Sequence, residues 1–136
     1  VIAVTEAVVA IAQGNYVTID QIVNELKEKY NSQEIGVVFP ILSRNRFALI
    51  LKAIAKAFPK IYLLLSYPGD EVGNNLMSVR EMHKQKIDPY VDVLDEARYN
   101  KLFGGFRHKF TGLNYCHMYK EIGGPNMELY FANDPR

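Results

Sequence analysis

One cysteine, Cys116, stands alone in 136 residues. That excludes an intrachain disulfide and any cysteine-built metal site. No apolar run approaches the roughly 18 residues that a spanning helix needs, and no signal peptide is visible. These absences predict a soluble protein of a reducing cytoplasm. An excess of one charge is lacking as well: sixteen Lys and Arg against fifteen Asp and Glu leave a net charge of +1. The balance argues against the basic stripe of a nucleic-acid binder and against a polybasic membrane anchor. The chain also lacks an initiator methionine. Val1 opens directly into an apolar run, and residues 133–136 end in a turn, so a piece of a longer protein is expected. Its length is that of a single domain, residues 1–136.

What is present reads as alternating strand and helix. Residues 1–4, Val-Ile-Ala-Val, fit an interior strand, Thr5 a helix N-cap, and Gly14 a helix stop. Thr18 with Gln21 three residues later is a capping box. Ile19, Ile22, Val23, Leu26 and Tyr30 then form one apolar helical stripe. Residues 35–39 and 61–66 are apolar throughout, and between them Phe47, Ile50, Leu51, Ile54 and Phe58 recur at helical spacing. Strand, helix, strand over this length predicts a βαβ unit. Short helices are expected over 78–84, 95–103 and 114–121, and a last strand over 127–132. Strands apolar on both sides predict an α/β fold with a mostly parallel or mixed sheet and helices on both faces.

In such sheets ligands bind beyond the carboxyl ends of the strands. The polar residues placed there are Thr5 and Glu6; Ser43, Arg44, Asn45 and Arg46; Ser66, Asp70, Glu71 and Asn74; and Asn133, Asp134 and Arg136. Ser43-Arg44-Asn45-Arg46 opens a helix, where free N–H groups and the dipole favour an anion, and two guanidinium forks match phosphate or carboxylate. This is a clamp for an anionic small molecule, or a plain Ser43 cap with solvated arginines. Asp70 and Glu71 suit a hard cation, or are an exposed acidic turn. His108, in a basic and aromatic loop, is an anion-binding group or general base, or a surface residue. Cys116, without an activating neighbour in sequence, reads as a buried inert thiol.

Two segments carry a resemblance. Val1-Ile2-Ala3-Val4-Thr5-Glu6-Ala7-Val8-Val9-Ala10-Ile11-Ala12-Gln13-Gly14, and Ile35-Gly36-Val37-Val38 followed by Ser43-Arg44-Asn45-Arg46-Phe47, resemble the coenzyme F-420-0:γ-glutamyl ligase family. Residues 39–75, with Leu65-Ser66-Tyr67-Pro68-Gly69-Asp70-Glu71-Val72-Gly73-Asn74, are similar to an uncharacterised bacterial branch of that family. The resemblance implies GTP-dependent ligation of glutamate onto a phosphate-bearing substrate, magnesium or manganese as cofactor, and a homodimer. Where the family carries an acidic strand end, this chain reads Phe39-Pro40-Ile41-Leu42, and Asp88-Pro89 is a single dipeptide rather than an acidic loop. No metal ligand therefore carries over residue by residue; Arg44 and Arg46 keep an anion-binding role. The alternative is a non-catalytic anion- or nucleotide-binding domain. A third reading is an interaction domain that assembles through its tyrosine-rich segment.

Overall fold

Alternation within the strands decides which side of the sheet is inside. The computed structural model describes residues 2–136. Its elements are α1 (Glu6–Ala12), α2 (Ile19–Lys29), β1 (Glu34–Val38), α3 (Arg46–Ala57), β2 (Lys60–Leu65), α4 (Val79–Lys84), β3 (Leu94–Asp95), α5 (Glu96–Phe103), α6 (Tyr115–Gly123) and β4 (Met127–Phe131). The sheet order is β1-β2-β4-β3. The β1, β2 and β4 strands are parallel, with Ile35 opposite Ile61 and Leu63 opposite Leu129, while β3 pairs antiparallel with β4. The expected α/β class and mostly parallel sheet are what the molecule has.

The covering of the sheet is different from the expectation. Ile61, Leu63 and Leu65 of β2 and Met127, Leu129 and Phe131 of β4 are buried, whereas Glu34, Val38 and Tyr62 are exposed. The α3 helix packs on α2 and α6, so the helices form one layer on one face. The reason is topological. Each of the crossovers β1→β2 and β2→β4 steps one place in the same direction, and right-handed crossovers of that kind put their helices on the same side. The apolar runs misled because Tyr62 and Leu64 are apolar bodies turned outward. On the open face Lys60 pairs with Glu128, and the Tyr130 and Tyr62 hydroxyls donate to Glu128 (2.6 Å) and Glu34 (3.2 Å).

Local chemistry sets the element ends. Thr18 Oγ1 accepts from Gln21 N–H while the Gln21 side chain accepts from Thr18 N–H, the expected capping box. Ser78, Asp95 and Asn114 cap α4, α5 and α6 with the side-chain bond alone, each accepting one N–H of the first turn. The core joins Leu51 and Ile54 of α3, and Phe58 at its C-cap, to the inner sheet face and to Tyr99, Phe103, Cys116 and Tyr119. Each fully buried side chain of this size contributes roughly 1.5–3 kcal/mol.

The predicted first strand does not form. Val1 lies outside the described residues, and residues 2–4 are exposed and pair with no strand. Thr5 precedes α1 as expected but makes no side-chain cap, and α1 buries no residue. An apolar run becomes a strand only where a sheet edge receives it, and both edges of this sheet are left to β1 and β3. Among the described residues no helix is long and apolar enough to cross a membrane.

Candidate functional site

The β1 and β2 strands end at the same rim, and two loops meet there through Asp70. The Asp70 carboxylate accepts four hydrogen bonds: from Leu42 N–H (2.9 Å), Asn74 N–H (2.7 Å), the Asn74 amide (2.8 Å) and Val72 N–H (3.2 Å). The Asn74 amide also donates to the Leu42 carbonyl at 3.3 Å. Ser43 is fixed from the core side. Its N–H donates to the buried Tyr119 hydroxyl at 2.7 Å, and that hydroxyl donates to the Ser43 carbonyl at 3.2 Å. Phe47 packs edge-on against the same ring, with centroids 5.0 Å apart. The loop carrying Arg44 is thus held at two consecutive residues by groups from two other segments.

The N-cap of α3 is Asn45, whose side chain makes no cap, rather than the expected Ser43. Ser43, in the turn before it, accepts through Oγ from Arg46 N–H (2.8 Å) and Asn45 N–H (3.2 Å). Those two donors are then spent, so the anion-attracting chemistry of this helix start passes to the arginine side chains. Arg44, Asn45 and Arg46 are exposed. Among the described residues neither guanidinium has an acidic partner.

Asp70 fits a staple between loops better than a metal ligand, since its oxygens already take four N–H groups. Glu71 beside it is exposed. Among the described residues no three His, Cys, Asp or Glu side chains gather as a metal-holding group. The residues at the rim therefore do not fit a magnesium or manganese site, and no chemistry is routed through one.

His108 lies in the loop before α6, on the far side of a row of rings. Its ring is 5.5 Å from Tyr115, and Tyr115 is 5.9 Å from Tyr119. His108 Nδ1 lies 3.3 Å from the Thr111 N–H and 3.1 Å from the Thr111 hydroxyl. The His108 ring thus sits two aromatic side chains from Ser43. Thr5 and Glu6 lie before α1 and follow no strand. Asn133, after β4, ties that strand end to the end of β2: it accepts from Tyr67 N–H at 3.0 Å and donates to Tyr67 C=O at 2.6 Å. Asp134 pairs with Arg136. Cys116 is buried, and burial pushes its thiol up to about 12, which makes it inert as a nucleophile at neutral pH.

Family models, curated proteins and solved structures were compared with the chain, and none matches. The function therefore has to be read from the rim itself.

Two features, one at the rim and one apart from it, were not visible in the sequence. Tyr119 belongs to an apolar helical stripe, and nothing local marks its hydroxyl as the anchor of Ser43. On the other side of the Pro68 loop lies an open groove of about 720 Å³, lined in part by Met82 and Ile87. Of its charged and polar residues, His83 and Lys86 come from the last turn of α4 and its C-terminal end and Asp88 from the loop that follows, a segment with no motif.

Proposed function

We propose that the rim binds a small phosphate- or carboxylate-bearing molecule, with Arg44 and Arg46 as its cationic grip. One observation carries this reading. The loop backbone is pinned by Asp70, Asn74 and Tyr119, yet both guanidinium groups are left without an acidic partner among the described residues. A pinned loop loses little freedom on binding, so the attraction between guanidinium and anion is not offset by ordering the chain. Arg46 also opens α3, where a positive charge opposes the helix dipole at a cost of roughly 0.3–1 kcal/mol. A bound anion would offset that cost.

A ligase-type activity rests on the family resemblance of residues 1–14 and 35–75, and GTP, magnesium or manganese and a homodimer belong to it. A reducing cytoplasm suits both readings. A thermal-shift comparison with phosphate, GTP and manganese separates them. A shift with phosphate alone supports anion binding; a shift that needs GTP and metal together supports the ligase; no shift removes both. Arg44→Ala should weaken phosphate binding roughly tenfold, the loss of one charge-assisted contact, while the melting temperature stays nearly unchanged. Unchanged phosphate affinity in that variant would remove the clamp.

A further inference from the structure

The groove beyond the Pro68 loop is separate from the arginine rim and differs from it in character. Met82 and Ile87, both buried, line it together with Pro68, Pro89 and Tyr90, the last 86% exposed. A volume of about 720 Å³ lies in the range of small-ligand sites. Proline faces and a tyrosine ring offer flat apolar surface to a planar group.

The Lys86 ammonium and the His83 imidazole, both able to donate to an anion, border this surface. Lys86 and His83 are exposed, and among the described residues neither side chain has a hydrogen-bond or ion-pair partner. Asp88, the acid of the groove, is engaged by Tyr90 N–H at 2.9 Å. Lys86 is held in the left-handed region, φ +53°. Its N–H donates to the His83 carbonyl at 3.1 Å, and Ile87 N–H donates to the Met82 carbonyl at 3.2 Å. This closing turn brings Lys86 back beside His83. Helix ends of this kind commonly use glycine, because a side chain in that conformation is strained. A lysine in the last turn already complements the helix dipole without that strain. The dipole therefore accounts for a lysine near this end but not for a lysine at the strained position. A cation placed over a flat apolar shelf accounts for both.

We propose that this groove binds a small organic anion, an aromatic ring bearing one carboxylate or phosphate. The ring lies between Pro68 and Tyr90, and the anionic group is held by Lys86 and His83. The proposal does not rest on the arginine rim.

The test is a titration of the isotope-labelled protein with benzoate and with phenyl phosphate, followed at the backbone amides. Shifts are expected at His83, Ile87 and Tyr90. Lys86→Gly removes the ammonium and relieves the backbone, so it should raise the melting temperature while weakening both ligands roughly tenfold. His83→Ala should weaken them without raising it. Arg44→Ala should leave the groove shifts intact even as it weakens inorganic phosphate at the rim. The proposal is overturned if the aryl anions leave His83, Ile87 and Tyr90 unmoved. It is equally overturned if Lys86→Gly binds them as the parent does, or if Arg44→Ala abolishes the groove shifts.

Discussion

Tyr119 shows how one buried polar atom positions a surface loop. Its hydroxyl accepts from and donates to Ser43, which is 76 residues away. Its ring is fully buried between Phe47 and Tyr115. Replacing it by Phe keeps the packing and leaves the Ser43 N–H and carbonyl without their partner. A loss of about 1–2 kcal/mol is expected from a urea unfolding curve. Amide exchange at Ser43 should quicken more than exchange in β2, because the tether is local. The same burial governs behaviour at high pH. Tyr67 is pushed up to about 12, first by loss of hydration and then by the nearby Asp92 carboxylate, and burial also pushes Tyr99 and Tyr119 upward. A raised folded value means that the unfolded chain releases its proton first. The contribution of these groups is fully present below the ordinary tyrosine value of about 10 and is lost progressively above it, for Tyr67 as pH rises through about 12. Urea midpoints should thus stay level up to about pH 10 in this respect and fall beyond it. Part of the tyrosinate absorbance should appear only together with unfolding. Smooth titration of every tyrosine in a still-folded protein would contradict this account.

At the scale of elements, Asp70 is the joint between the loops that follow β1 and β2. Asp70→Ala removes four accepted hydrogen bonds at once and leaves only the Asn74 amide on the Leu42 carbonyl to join the two loops. A cost of about 2 kcal/mol is expected, since the loop is half open to water and its N–H groups can rehydrate. Exchange protection should fall at Leu42 and Asn74 together, and independent changes at the two would argue against a shared staple. This joint also marks how far local sequence reaches. The α2 start was legible because Thr18 and Gln21 lie within one turn, and the α3 stripe because Phe47, Leu51, Ile54 and Phe58 repeat at helical spacing. That the two loops share a rim also followed from the βαβ order. The role of Asp70 did not, because its partner Leu42 is 28 residues away and is a backbone amide, which carries no sequence signal. The β3 strand escaped notice at two residues long, with only its pairing to Phe131 and Tyr130 to define it. The open sheet face was hidden by Tyr62 and Leu64, which read as interior residues although their strand alternates inside and outside.

For the molecule as a whole, the contrast that matters is between a shared core and an N-terminal segment that takes no part in it. The core runs from Leu42 to Phe131 and draws on the helical layer and one face of the sheet. The α1 helix buries no side chain, although Val8, Val9 and Ile11 are apolar and more than 40% exposed. Seven residues are too few to hold a helix in water without tertiary contacts, since even alanine-rich helices shorter than about 12–15 residues are marginal. The stability of α1 in this chain should therefore be close to zero and uncoupled from that of the core. Hydrogen exchange tests this directly. Amides of Val9 and Ala10 should exchange with little protection, while Leu51 and Leu63 exchange only through global unfolding. Removing residues 1–14 should leave the urea midpoint close to that of the parent, a difference of at most about 0.5 kcal/mol in unfolding free energy, because Thr18 still caps α2 and none of residues 2–14 is buried. A large fall in that midpoint would mean that α1 packs on the domain in solution, and the open sheet face would be the first place to look for its contact.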